Sequence, residues 1–276
     1  MSFRIGIIGF AGRGGSYRPA LEACGATLAA ICDSNELALR QASSDMSPDV
    51  QPFTDFALML DQANLDAVIV ATPQHLHAQH SIAALQRGVS VLSEVPAGVS
   101  IKECERLVKA VQKAPPGTVY RFAENYIYWR QNRLVREMAR RGLFGQLYYG
   151  EGEYLHDVRS LLDKTPWRRK WQMGIDGNTY PTHSLGPLLQ WLGPNERVVS
   201  VSCAGSGYHH QDKEGRNLHQ DTSVMLCKTT SGALLTVRLD LVSDRPPGIS
   251  YRLQGTRGAY ESGDGHGGSD RIWLRD

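Results

Sequence analysis

One stretch of the 276-residue chain gathers proton-transfer side chains at a spacing that brings them together: Gly177 to Gly193, reading GNTYPTHSLGPLLQWLG. Leu185, Leu188, Leu189 and Leu192 recur at helical spacing behind Pro181 and the helix-start residue Thr182. His183 therefore falls in the first turn of an amphipathic helix, and Tyr180, three residues earlier, reaches the same side. A free imidazole titrates at about pH 6.5 and can accept a proton near neutrality. A capping or core histidine beside a packing tyrosine would give the same pattern.

A second constellation lies near the N-terminus. Phe3 to Ile8 has the make-up of a buried strand. Gly9, Phe10, Ala11, Gly12, Arg13, Gly14 and Gly15 follow, then a helical stretch from about Tyr17 to Ala23. Strand, glycine turn and helix in that order let a pyrophosphate approach the backbone at a helix start. The frame is GxAxxG, with Ala11 where a second glycine is usual. A strand from Thr27 to Cys32 ends in Asp33, 24 residues after Gly9. A carboxylate there accepts from the adenosine ribose hydroxyls and repels a 2′-phosphate, which favours NAD over NADP, although Ser34 and Arg40 soften that preference.

The elements that hold these residues alternate. A strand from Asp66 to Ala71 leads into Thr72, Pro73, His75 and His77 and a helix from about Ala78 to Arg87. A strand from Val89 to Glu94 leads into Val95 and Pro96, followed by a helix from about Ile101 to Lys113 and a strand from Val119 to Ala123. This pattern predicts a doubly wound parallel sheet, with Thr72, Pro73, Glu94 and Pro96 at the carboxyl ends of strands where ligands lie. His75 and His77 lack a third ligand at metal spacing, so they read as loop or cofactor-edge residues and no metal is expected.

Beyond residue 124 the pattern changes. Asn132 to Arg141 reads as a helix, and Leu147 to Leu155 alternates as a strand, with Glu151, Glu153 and His156 placed where a sheet face could meet a sugar. The loop expected at 160–178 carries Trp167 and Trp171, which read as core or lid residues or as aromatic planes against which a pyranose packs. Val198 to Ala204, Ser223 to Thr229, Leu234 to Leu241, Tyr251 to Gln254 and Arg271 to Leu274 read as further strands.

Composition bounds the rest. With 41% apolar residues the chain can bury the core of two domains. Lys and Arg number 30 against 28 Asp and Glu, so no basic field argues for nucleic acid. Local clusters, Lys164 with Arg168, Arg169 and Lys170 and Arg136 with Arg140 and Arg141, read as solvated faces, with an anionic substrate or a subunit contact as the alternative. Cys24, Cys32, Cys104, Cys203 and Cys227 are scattered and form no CxxC pair, which speaks against a disulfide framework and for a reducing cytoplasm. The short apolar run before Gly9 is a strand rather than a signal peptide, and no stretch approaches the roughly 20 apolar residues of a membrane span. No internal repeat is present, and GDGHGG at 263–268 reads as a loop.

GIIGFAGRG at 6–14, VIVATPQHLHAQHSIAAL at 68–85 and SEVPAG at 93–98 together resemble the Gfo/Idh/MocA oxidoreductase family. The resemblance implies an NAD-binding Rossmann domain over 1–123 and a substrate-binding, oligomerising α+β domain over 124–276, built on an open, mostly antiparallel sheet. It also implies a homodimer or homotetramer, and a C-terminal region shorter than is usual in relatives. Most dehydrogenases of the family carry Lys where this chain has Val95. Glu124, Asn125 and Tyr126, GEGEYLHDVR at 150–159 and GNTYPTHSLGP at 177–187 are similar to the branch that includes NAD-dependent α-N-acetylgalactosaminidases. In that branch Glu124, Tyr154, Tyr180 and His183 match sugar-site positions.

Three functions are then open. In the first, a sugar dehydrogenase, NAD accepts a hydride from a ring CH–OH at C3 while His183 takes the hydroxyl proton, with Tyr180 or Tyr154 bonding the developing carbonyl oxygen and Glu124, His156 and Trp171 holding the sugar. The second is a glycosidase that oxidises C3 to acidify C2, eliminates the C1 substituent, adds water and returns the hydride. There a tyrosine acts as base and needs a lowered pKa. The third is a non-catalytic sugar or nucleotide sensor.

Overall fold

The continuous apolar runs of the first half become strands buried on both faces, as parallel sheets require. In the computed structural model, which describes residues 2–212, 214–218, 220–263 and 267–275, the chain forms two compact units, Met1–Ala123 and Glu124–Asp276. Part of the glycine-rich segment at 263–268 lies outside the described residues.

The first unit runs β1 (Arg4–Ile8), α1 (Arg18–Ala23), β2 (Thr27–Cys32), α2 (Glu36–Ser43), β3 (Gln51–Phe53), α3 (Phe56–Gln62), β4 (Ala67–Val70), α4 (His77–Gln86), β5 (Ser90–Ser93), α5 (Ile101–Lys113) and β6 (Tyr120–Phe122). Its six strands are all parallel, in the order β3-β2-β1-β4-β5-β6. The chain winds outward in both directions from β1 and β4, so the glycine turn leaves β1 at the topological switch point. Two expectations are corrected. Residues 13–17 form a 3₁₀ helix and α1 starts only at Arg18. Between Asp33 and Asp66 the structure adds α2, β3 and α3, which the apolar pattern does not announce, although Asn35 and Asp55 cap the two helices by accepting from backbone N–H groups.

The second unit runs α6 (Arg130–Arg140), β7 (Leu147–Leu155), α7 (Trp167–Trp171), α8 (Thr182–Leu192), β8 (Val198–Gly205), β9 (Thr222–Thr229), β10 (Leu234–Asp240), β11 (Gly248–Gly255), β12 (Gly258–Glu261) and β13 (Arg271–Leu274). The sheet order is β13-β12-β11-β7-β10-β9-β8. Only β7 and β10 pair in parallel; the other pairs are antiparallel. The expected loop at 160–178 contains α7, and β12 is an addition. Among the described residues no helix is long and apolar enough to cross a membrane.

Alternation decides the faces of this sheet. Gly150, Gly152 and Tyr154 on β7 share a buried face with Leu235, Val237 and Leu239 on β10 and Tyr251 and Leu253 on β11. Leu188 and Trp191 of α8 and Val135 of α6 pack over it. Glu151 and Glu153, expected beside the sugar, have the other parity. They lie on the opposite face, where they pair with Arg252 and Arg238.

The close approach of α8 to β7 needs a glycine. A Cβ on Gly152 would stand 2.7 Å from the Ser184 carbonyl oxygen and 2.9 Å from Ser184 Cβ. Backbone cannot yield there as a flexible side chain can. Gly152→Ala should lower the unfolding free energy by about 1–3 kcal/mol in denaturant titration. Gly12→Ala, where an added Cβ meets nothing within 4 Å, should leave it unchanged.

Candidate functional site

His183 sits in the first turn of α8 with its side chain only 9% exposed. Thr182 does not cap that helix: no side chain does, and Thr182 Oγ1 is buried without a hydrogen-bond partner among the described residues. What holds the turn is set by Pro187. A proline inside a helix has no N–H to give the carbonyl four residues back, which is that of His183. Tyr251 of β11 fills the vacancy, its hydroxyl donating to His183 O at 2.5 Å. An orphaned buried carbonyl would cost about 1–3 kcal/mol.

His183 Nδ1 lies 2.9 Å from both carboxylate oxygens of Glu124. A carboxylate only accepts, so a neutral imidazole here carries its hydrogen on Nδ1 and its lone pair on Nε2. Glu124 Oε1 also accepts from the Tyr126 N–H at 2.9 Å. Gly186 makes room for this carboxylate on α8, since a Cβ there would stand 2.9 Å from Glu124 Cγ. Glu124 is 4% exposed. Its carboxylate faces the imidazole and is placed to orient it.

Three phenols surround the ring. The Tyr126, Tyr180 and Tyr154 centroids lie 4.2, 5.1 and 5.2 Å from that of His183. Tyr154 OH and His156 Nδ1 are 2.9 Å apart. Burial holds the Tyr154 phenol above its ordinary value, with Tyr126 and Tyr180 adding to the effect and Arg168 opposing it. That direction is opposite to the lowering a tyrosine base needs. Burial pushes the His156 imidazole down, helped by Arg168.

Arg168 of α7 corrects the reading of its basic run as a solvated face. Arg169 pairs with Asp163 and Asp212. Arg168 is half-buried and donates to Thr165 Oγ1 at 2.9 Å and Gln172 Oε1 at 2.5 Å. Its charge bears on Tyr154, Tyr180 and His156. Trp171 stands on the same short helix with the Lys170 ammonium 4.9 Å from its ring centroid. Beside the cluster opens a cavity of about 420 Å³ walled by Tyr126, Trp129, Tyr154 and His156, in the size range of small-molecule sites.

The first unit carries the other candidate site. Gly9 has φ +84°, and a Cβ there would meet the Ala71 carbonyl and Thr72 N at 2.7 Å. At Gly14 a Cβ would stand 2.6 Å from Ile7 Cγ2 and 2.7 Å from Gly9 O. These are the tight turn and the close helix–strand packing of a pyrophosphate cradle, so the residues fit a dinucleotide. Ala11 and Gly12 are exposed on the turn, whereas the Phe10 side chain is buried in the core and leaves only backbone to a ligand. Asp33 accepts from Ala11 N at 2.9 Å and Asn35 N at 3.0 Å, which fixes the carboxylate at the end of β2.

Glu94 accepts from Arg13 Nε and Tyr17 OH, both at 2.7 Å. Burial, then the Glu94 charge, raises the Tyr17 phenol. Val95, between Glu94 and Pro96, is buried. Thr72 and Pro73 lead into a short 3₁₀ helix, Gln74–Leu76, that carries His75. His77 departs from its expected place at a ligand edge: it is 2% exposed, with both nitrogens against backbone carbonyls. Among the described residues no group of three or more His, Cys, Asp or Glu is placed to hold a metal ion.

Comparison with known proteins finds a match in each half of the chain. Residues 3–117 match the oxidoreductase family with an NAD-binding Rossmann fold, Gfo/Idh/MocA, and residues 128–276 match the glycosyl hydrolase 109 C-terminal domain. A glycosyl hydrolase family 109 protein of Saccharopolyspora erythraea is 32% identical over 287 residues, covering 94% of this chain and 62% of its own length. An alpha-N-acetylgalactosaminidase of Shewanella oneidensis is 29% identical over 312 residues, covering 99% and 67%. This chain thus spans roughly two thirds of such relatives. The WlbA dehydrogenase of Bordetella pertussis, solved with NADH and UDP-GlcNAcA, superposes with a TM-score of 0.77 at 26% identity, over 95% of this chain and 78% of that one.

His80, beside Thr72 Oγ1 at 3.1 Å and packed at a tilt against the Phe56 ring, is pushed down to about 4, first by burial and then by His77 and His75. The unfolded chain's imidazole takes a proton below about pH 6.5 while the native one stays neutral, so folded stability falls as pH drops from there towards 4. Chemical denaturation across that window should show the loss shrinking by about 3 kcal/mol in His80→Phe relative to the parent.

Proposed function

The chain belongs to the Gfo/Idh/MocA oxidoreductase family, in the branch with a glycosyl hydrolase 109 C-terminal domain, and from that premise we propose that it moves a hydride between NAD and a ring CH–OH of a sugar or sugar derivative. The observation that carries this reading is the Glu124–His183 pair. A buried carboxylate on Nδ1 leaves Nε2 bare in a cluster of phenols, which is what removal of a hydroxyl proton needs. When bound, NAD supplies the hydride acceptor.

The residues of the chain do the rest. His183 takes the hydroxyl proton as the C–H bond, that of C3 in our reading, gives up its hydride. Tyr154, whose phenol keeps its proton, and Tyr180 donate to the developing carbonyl oxygen, and Arg168 adds positive charge beside them. The Asp33 carboxylate favours NAD over NADP because a 2′-phosphate would meet a like charge. The face of the second sheet on which Glu151 pairs with Arg252 and Glu153 with Arg238 is the surface on which we place pairing of copies into a homo-oligomer.

The glycosyl hydrolase 109 domain favours a second reading, redox-neutral glycoside cleavage through oxidation at C3, elimination, hydration and return of the hydride. The raised phenol of Tyr154 is ill suited to removing the C2 proton, and this sets net oxidation first.

Incubating the full chain with NAD⁺ and a panel of free sugars, N-acetylated sugars and aryl glycosides separates the readings. Expected is NADH accumulation with at least one sugar, cut about 100-fold or more in His183→Asn. Aglycone release with deuterium uptake at C2 and no net NADH would replace it with the glycosidase reading. Silence in all three readouts from folded protein would overturn both and leave a sensor.

A further inference from the structure

The loops at the carboxyl ends of β1, β4 and β5 are joined in a closed circuit of contacts. The Gly9 turn seats directly on Ala71 and Thr72. The Thr72 carbonyl lies 2.7 Å from His77 Nε2, and His77 Nδ1 lies 2.7 Å from the Pro96 carbonyl. Two residues before Pro96, Glu94 takes Arg13 Nε and Tyr17 OH. Arg13 and Tyr17 belong to the short helix that leaves the glycine turn, where Gly14 N and Gly15 N bond back to Gly9 O and Phe10 O. His77 is the one side chain in this circuit that spans from the β4 loop to the β5 loop.

We propose that His77 is a positioning residue for the dinucleotide, setting the separation of the Thr72–Pro73 and Glu94–Pro96 loops without touching the ligand. The inference rests on the dinucleotide reading above. Burial argues for action at one remove, because a ring 2% exposed at the start of α4 with carbonyls on both nitrogens has no edge left for a ligand. The chemistry argues for the two loops as the target. The ring donates to the carbonyl that faces its N–H, and to both when protonated, and a carbonyl left with no donor would turn towards water and carry its loop with it. The neighbouring His80 is tied to the side chain of Thr72, not to the second loop, so it cannot substitute.

Isothermal titration of NAD⁺ into the parent, His77→Gln and His77→Phe tests this, with thermal unfolding and far-UV circular dichroism recorded on each. His77→Phe fills the space and keeps neither tie, so NAD⁺ should bind about tenfold more weakly. His77→Gln has one amide donor and should fall between. In turnover the KM for NAD⁺ should rise while kcat at saturating NAD⁺ and the KM for sugar stay within twofold. If His77→Phe does not fold, His77→Gln decides. A parent that binds NAD⁺ with variants within twofold of it, or variants that lose only unfolding temperature, would overturn the role of His77 alone. A folded parent that takes up no NAD⁺ would sink the dinucleotide reading, and this inference with it.

Discussion

The carboxylate of Glu124 against Nδ1 of His183 is the contact around which the second unit is arranged. Two nearly buried polar groups can be kept apart from water only if each satisfies the other and their remaining positions are also matched. The fold meets that condition from three sides. Tyr126 N–H takes one oxygen of the carboxylate, Gly186 leaves the space it fills, and Tyr251 takes the His183 carbonyl that Pro187 leaves open. Gly152 lets α8 press onto β7, which brings Tyr154 beside the ring. A shift in any of these would turn the imidazole before it changed the fold.

The first unit solves a different problem with similar means. Its loops must present backbone to an anionic ligand, so its polar side chains are spent on holding loops. Asp33 ties β2 to the glycine turn, Glu94 ties β5 to it through Arg13 and Tyr17, and His77 ties the β4 and β5 loops. Val95 is buried within this frame and brings no proton-transfer group to it.

The parts legible in the sequence are those where local chemistry and tertiary demand coincide. The strand–glycine–strand order up to Asp33, α5 and α8 read correctly because their apolar periods and punctuation are strong. Glu151 and Glu153 were misplaced although their parity with Tyr154 forbids a shared face, so that signal was present and unused. The partners of Glu124 and His77, the His183 ring and the Thr72 and Pro96 carbonyls, are not legible in the sequence, because spacing alone does not say which neighbour a buried polar side chain meets. Arg168 disappeared into a basic run, and nothing local separates a half-buried guanidinium from the exposed ones beside it. Pro187 in the middle of α8 did signal that the His183 carbonyl needs another donor, but only the sheet register identifies Tyr251.

The central claim is the hydrogen placement on one ring, and it can be read directly. A long-range ¹H–¹⁵N correlation spectrum of the chain labelled in histidine, at mildly alkaline pH and with His183 assigned by its loss in His183→Asn, reports which nitrogen is protonated. A protonated Nδ1 and a bare Nε2 are expected. A ring protonated at Nε2 with Nδ1 bare would contradict the orientation by Glu124 and remove His183 as the base.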